Sequence, residues 1–443
     1  MLFYSPIFLF YFLPTVFFLY FYVNKSFTNY SSVVLIISGL IFYAWWNVYL
    51  TPIIITSILV NYFFSKKIIT LKKKSEKKKI LIYSIFFNTF YLILFKYLDF
   101  LILNINYTFS FNIDLLNLPF PLALSFITFQ TIAYLVDCYD DEISNLNFKK
   151  YALFIIFFPQ LIAGPIVKYN FMSTQFENMD NKKINNFNIM LGLIILAIGF
   201  VKKVLIANNL AIVVDNGYAL NETLNFLDSW LVSLSFTFQL YFDFGGYIDM
   251  ATGIALLFNI RIPQNFNSPY KASSIIDFWQ RWHITLTSFL TSYIYFPILR
   301  SLKIVTFFKT MIVTIFVFFI AGIWHGPTWF YILFGLFHGF GVVINHCYIK
   351  FLNKKLNFYF SWFLTFNFVN ISLVFFRSEE TSHTINILKN MFGFNGFDIS
   401  NYNEYNFSFY ITFLIAVIVC FFFKNTNYLV EESYKKYLSN KKV

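Results

Sequence analysis

Three of the five histidines in this 443-residue sequence, His283, His325 and His338, fall between residues 232 and 340. A titratable side chain inside hydrocarbon is costly and marks a functional site by default. Neutral imidazole, with an ordinary pKa near 6.5, suits a general base at physiological pH. The sharpest context is GIWHGPTWFYILFGLFHG, where Gly322 and Gly326 flank His325 and Pro327 ends or kinks the helix just after it. Small residues four apart let another helix backbone come close, so His325 is presented to protein and not to lipid. His338 lies thirteen residues on, about 220° round a continuous helix. It is a possible further site residue only if Pro327 resets the register.

The segment IIDFWQRWHITLTSFLTSYIYFP mixes Asp277, Gln280, Arg281, His283 and Thr285 with Trp279 and Trp282. It reads as an amphipathic helix lying in the membrane interface. On such a helix Trp279 and His283 are four apart, as are Asp277 and Arg281, an ion pair that would stiffen the element. His283 is either a working group or a satisfied interfacial histidine. FQLYFDFGGYIDM places Gln239 and Asp243 on one helical face, followed by a break at Gly245 and Gly246, and then Asp249. The two carboxylates either orient a catalytic group or water, or pair with Arg261, Lys271 or Arg281. No serine elbow, P-loop, dinucleotide fingerprint or metal-ligand set is present, so no metal is expected. A buried base without a covalent nucleophile fits acyl transfer from a thioester straight to a hydroxyl.

These residues need a scaffold, and the composition says which kind. The chain is 58% hydrophobic and 12% charged, against about 45–50% and about 25% in soluble domains. Its mean hydropathy is +0.63. Continuous apolar runs exclude the alternation of a β-barrel and point to an all-α polytopic membrane protein, read as one integral membrane domain over 1–443. The 65 Phe and 31 Tyr read as codon bias of an AT-rich genome. The net charge of +12 reads as cytoplasmic loops facing anionic lipid, and no basic soluble domain exists to bind nucleic acid. Cys138, Cys347 and Cys420 are scattered core residues with no disulfide or metal spacing.

Taken in order, an apolar span at 7–23 lacks the flanks of a removable signal peptide. Spans near 33–46 and 49–64 follow, with a tight turn at Asn47-Val48. SKKIITLKKKSEKKK, residues 65–79, then carries eight lysines against Glu76. The positive-inside rule makes this run cytoplasmic and, counting back three spans, puts the N-terminus outside. Further apolar stretches lie near 80–95, 98–110, 119–136, 152–164, 188–201, 204–214, 228–244, 304–324, 328–345, 357–376 and 407–423. Ten to twelve spans with some re-entrant and interfacial helices are expected. FFPQLIAGPIVKY, with two prolines and a glycine in an apolar stretch, should line a cavity. The tail VEESYKKYLSNKKV reads as cytoplasmic.

With FWQRWHITL and GIWHGPTW in one chain, the sequence resembles the membrane-bound O-acyltransferases (MBOAT), in the bacterial branch of alginate O-acetyltransferases and teichoic-acid D-alanyl transfer proteins. The opening MLFYSPIFLFYFLP, FITFQTIAYLVDCY, GFVKKVLIANNLA, FNSPYKASSIIDFWQRWHITLTSFL and FVNISLVFFR extend the likeness over nearly the whole chain. After YIYFP this chain reads ILRSLK where many members continue Leu-Gly-Gly. The resemblance implies a ring of tilted helices around a thin centre, with a funnel on the outer face and a narrow passage from the cytoplasm. It implies His325 as the catalytic residue and His283 as the second essential histidine. Trp324 and Trp282 lie inside the same two blocks and, with Asp243, Asp249, Asp277, Gln280 and Arg281, are the supporting candidates. It also implies no bound cofactor, an acyl donor that is acetyl-CoA or a carrier-protein thioester, and a polysaccharide acceptor. A periplasmic SGNH-type acetyltransferase is the expected partner, and the bacterial inner membrane the expected location. The opening segment favours acetyl transfer over D-alanylation. A transporter is the competing class, but the paired repeats of transporter folds are missing from the sequence.

Overall fold

The computed structural model describes residues 1–219, 224–352, 354, 356–394, 396–397 and 405–440. The last three residues of the basic tail lie outside these. Every regular element among the described residues is helical. Among the described residues seven helices are long and apolar enough to cross a membrane, or eight if Phe407–Phe422 and Thr426–Ser439, bent by 50°, form one broken span. The number is below ten to twelve because neighbouring apolar stretches fuse. Those near 80–95 and 98–110 become one 36-residue helix, Lys74–Phe109, and those near 188–201 and 204–214 become Asn186–Ala219. Others fall short of the roughly 20 residues a span needs: Leu124–Tyr139 has 16 and Phe148–Ile156 has 9.

The chain divides into two compact units, residues 1–196 with 250–263, and residues 197–249 with 264–443. The first is an aromatic helical body. Phe8 packs on Phe3, Phe12, Phe42 and Phe158 at ring separations of 5.1 to 6.2 Å, and Tyr134 stacks on Tyr151 at 4.4 Å. Helices Thr51–Thr70 and Lys74–Leu92 carry the lysine run at their shared end. They are joined in mid-length by a reciprocal amide pair, Asn61 Nδ2 to Asn88 Oδ1 at 3.0 Å and Asn88 Nδ2 to Asn61 Oδ1 at 2.7 Å. Where helices cannot gain from expelling water, such polar pairs hold them together. The Asn47 side chain caps its turn by accepting from Tyr49 N. The helix leading into FFPQLIAGPIVKY ends at Ile156, and Gln160 Nε2 donates to the freed Phe154 carbonyl at 2.8 Å. The break is satisfied by protein within a fully buried stretch.

The second unit holds every candidate site residue. Helix Phe226–Leu257 runs unbroken through Gly245 and Gly246. The expected break is absent because Gly246 serves a close approach: a Cβ there would lie 2.9 Å from both Gly199 O and Lys203 N. Phe307–His325 and Trp329–Cys347 form an antiparallel hairpin. Phe358–Arg377 packs beside it, with the His338 and Ser372 side chains joined at 2.8 Å. The FWQRWHITL segment is not one interfacial helix. It is two short ones, Ile275–Arg281 and Ile284–Leu290, with Trp282 and His283 between them. Trp279, Trp282 and His283 all point inward and are buried.

Candidate functional site

The hairpin presents His325 by a backbone-to-backbone contact. A Cβ on Gly322 would meet Tyr331 O at 2.4 Å, and one on Gly335 would meet Phe318 O at 2.4 Å. Only glycine at both positions lets the two helices touch at this end. His325 is the last helical residue, Gly326 continues in extended backbone, and Thr328 caps the next helix. Pro327 therefore sits in a break between two helices and not in a kink within one. The imidazole of His325 is half-buried in a collar of rings: Trp324 at 5.0 Å, Phe376 at 5.1 Å, Phe334 at 5.9 Å and Tyr331 at 6.2 Å.

His283 reaches the same indole from another element, with its ring 6.0 Å from Trp324 and 5.0 Å from Phe244. Its backbone is left-handed, φ 44 and ψ 51, which is strained for a residue with a side chain. That conformation turns the chain between the two short helices, so Trp279 and His283 do not share a helical face. Asn265 holds the result in place. Its Oδ1 lies 3.2 Å from His283 Nδ1 and accepts from Thr285 N at 3.1 Å and Thr285 Oγ1 at 2.9 Å, while its backbone O accepts from Ile284 N at 3.0 Å. A backbone N–H can only donate, so the Asn265 atom facing it is the oxygen, and His283 Nδ1 must carry the proton. The lone pair of the neutral ring is then on Nε2, which is buried and meets no hydrogen-bond partner. Burial pushes the His283 imidazole down to about 3, so it is uncharged across the physiological range.

His338 is built differently. Trp279 Nε1–H donates to its Nδ1 at 3.1 Å, so Nε2 carries the proton and donates to Ser372 Oγ at 2.8 Å. Ser372 Oγ–H in turn donates to Val369 O at 2.6 Å. Both ring nitrogens are used and the residue is fully buried. The break at 326–328 does reset the register, yet Phe334 stands between the two, 4.6 Å from His338 and 5.9 Å from His325.

The carboxylates pair with cations and not with the histidines. Asp277 accepts from Arg281 Nε at 2.6 Å, the pair expected four residues apart. Asp243 pairs with Lys203 at 2.5 Å and Asp249 with Lys202 at 2.6 Å, the latter shared with Thr426 at 2.7 Å. The expected partners were Arg261, Lys271 and Arg281; the lysines of GFVKKVL take their place because Gly246 admits that segment. Trp282 stacks on Phe278 at 5.8 Å. Gln280 is exposed at a cavity of about 280 Å³ that it lines with Trp279, Thr287, Thr314, Phe318 and His346. Among the described residues no group of three or more His, Cys, Asp or Glu could hold a metal ion. Sequence patterns do not single out Asn265, a polar residue one position ahead of the FNSPY block.

The chain belongs to the membrane-bound O-acyltransferase family, whose model matches residues 40–378. It is a multi-pass membrane O-acyltransferase. It is 39% identical over 436 residues to a peptidoglycan O-acetyltransferase of Helicobacter pylori, covering 91% of this chain and 82% of the relative. It is 34% identical over 416 residues to the probable alginate O-acetylase AlgI of Pseudomonas aeruginosa, covering 92% and 78%. To the teichoic acid D-alanyltransferase of Streptococcus thermophilus it is 28% identical over 240 residues, covering 52% and 57%.

Proposed function

We propose that this protein moves an acetyl group from a cytoplasmic thioester, acetyl-CoA or an acylated carrier, to a hydroxyl of a cell-surface polysaccharide. The observation that carries the reading is the pair His325 and His283 against one indole, the second with an unshared lone pair fixed at Nε2. The acceptor hydroxyl gives its proton to imidazole as its oxygen bonds to the thioester carbonyl carbon. The carbon–sulfur bond then breaks and the thiolate leaves, taking up the proton from the imidazolium. Acetyl rather than D-alanyl transfer is supported by the longer and closer likeness to proteins named for O-acetylation.

His325 is the base and His283 its support. A second reading makes His283 the base, favoured by the unpartnered Nε2 and the Asn265 clamp. As a neutral ring His283 cannot donate to the thioester carbonyl, because its one N–H is spent on Asn265.

The protein sits in the bacterial inner membrane with residues 65–79 cytoplasmic and Met1 outside. The second unit follows the same rule. Arg300, Lys303, Lys309 and Lys350 gather at one end of the hairpin, where Lys350 lies 3.8 Å over the Phe307 ring. That end faces the cytoplasm, so His325 faces outward toward the acceptor. An SGNH-type exported protein completes transfer to polymer. The test is thiol release and sugar O-acetylation by purified protein in nanodiscs given acetyl-CoA and an N-acetylhexosamine oligomer. Thiol release without ester formation on the oligomer would overturn the glycan acceptor, and no thiol release would overturn the thioester donor.

A further inference from the structure

The helix that supplies Phe376 to the His325 collar ends at Arg377, on the rim of a second cavity of about 230 Å³. Its walls are Asp215, Tyr218, Ala219, Arg377, Glu379, Glu380 and His383. Arg377 bonds Asp215 Oδ1 at 3.0 Å and Glu379 Oε1 at 3.2 Å, and its guanidinium lies 5.4 Å over the Tyr218 ring. His383 Nε2 is 3.8 Å from Glu380. Tyr218 is 8% exposed, and its hydroxyl is buried without a hydrogen-bond partner. A buried hydroxyl left unpaired is disfavoured and calls for a partner that the described residues do not supply.

We propose that this cavity is the acceptor subsite beside the reacting sugar, and that it takes an uncharged, hydroxyl-rich glycan and turns away a polyuronate. The inference rests on the acyl-transfer reading above and adds the acceptor's chemistry to it. One guanidinium faces three carboxylates, so the fixed charge of the described walls is negative. Arg377 already spends bonds on two of those carboxylates. Each carboxylate keeps lone pairs to spare, and the Tyr218 hydroxyl can both give and accept. The unmet demand is for O–H and N–H donors, which sugar hydroxyls and acetamide groups carry. A uronate ring adds acceptors and a negative charge where both are in surplus. Asp215, Glu379 and Glu380 are mostly exposed, with side chains 62%, 85% and 66% accessible, so the repulsion is long-ranged and screened by salt. Phe376 ties the cavity to the chemistry, its ring 5.1 Å from His325 and 5.0 Å from Tyr331.

The experiment uses the full chain in nanodiscs and two probes of equal length, tetra-N-acetylchitotetraose and a galacturonate tetramer. Binding is read by saturation-transfer NMR and, separately, acetyl transfer from acetyl-CoA. The uncharged probe should bind about tenfold or more tightly than the uronate at low salt, the gap closing as salt rises. Tyr218→Phe removes one oxygen and keeps the ring. It should weaken the uncharged probe about three- to tenfold and raise KM more than it lowers kcat. The combined variant Asp215→Asn, Glu379→Gln, Glu380→Gln should lift uronate binding toward that of the uncharged probe. Equal or tighter uronate binding by the native protein overturns the proposal. So does an unchanged ratio in the combined variant, or no saturable binding of either probe. Correct binding preferences with no acetyl transfer from acetyl-CoA or an acetylated carrier would sink the acyl-transfer reading and leave the cavity's preference standing. Transfer to both probes alike would do the reverse.

Discussion

His283 and His338 are both almost wholly buried, 2% and 0% exposed, and both lie within reach of a tryptophan. By burial they are twins, and by proton placement they are opposites. In His338 the Trp279 N–H fills one ring nitrogen and Ser372 takes the proton of the other, so the residue is locked and finished. In His283 the Asn265 oxygen fixes one proton and leaves Nε2 with a lone pair and nothing to bind. A histidine that completes its own hydrogen bonds holds a fold together. One that is held rigidly with a lone pair unspent is ready for a reactant. The difference between them is a matter of second partners, which no spacing in the chain displays.

The largest effect expected is on turnover. His325→Ala and His283→Ala should each lower acetyl transfer about 10²- to 10⁴-fold with normal insertion and yield, measured as O-acetyl ester formed per milligram of protein matched by immunoblot. His338→Ala should leave kcat of the folded fraction within about threefold but cost about 1–3 kcal/mol of stability for the groups left unpaired, read from thermal unfolding in detergent. If His338→Ala instead abolished turnover in fully folded protein, the contrast between the two histidines would collapse.

Glutamine substitution divides the two readings of the base. It keeps a donor and an acceptor but takes no proton at neutral pH. With His325 as the base, His283→Gln should retain part of the activity and His325→Gln none. The reverse pattern assigns the base to His283.

Asn265→Ala should lower kcat about tenfold by releasing the ring tautomer, with KM little changed, in steady-state assays of thiol release. Asn265→Asp sets a carboxylate against Nδ1. An opposite charge favours the protonated ring, so the His283 pKa should rise from about 3. Activity should then fall as the pH is lowered through the raised value, giving the variant an acid limb that the native histidine does not contribute. A pH–rate profile identical to the native one would show that Asn265 does not act through His283. The smallest effect is expected from Asp277→Asn. The pair with Arg281 is partly exposed, so its loss should cost under about 1 kcal/mol and leave turnover within twofold.

Much was legible in the chain alone. The apolar runs determined an all-helical membrane protein, because a backbone in hydrocarbon must satisfy its own hydrogen bonds. The glycines around His325 determined that it would meet protein closely. Asp277 and Arg281 were paired by their spacing, since residues four apart on a helix face one another. Tertiary structure decided the rest. Which lysine met which carboxylate depended on Gly246 admitting a segment more than forty residues away, at Gly199 and Lys203. Whether FWQRWHITL would be one helix or two depended on a left-handed turn at His283 that Asn265 and Thr285 hold in place. Whether neighbouring apolar stretches would span separately or fuse depended on where the chain could bend. The proton placement on His283 and His338 is the feature furthest from the sequence, because a proton's position on an imidazole is set by the partners of its nitrogens, and those come from residues 18 to 59 positions away.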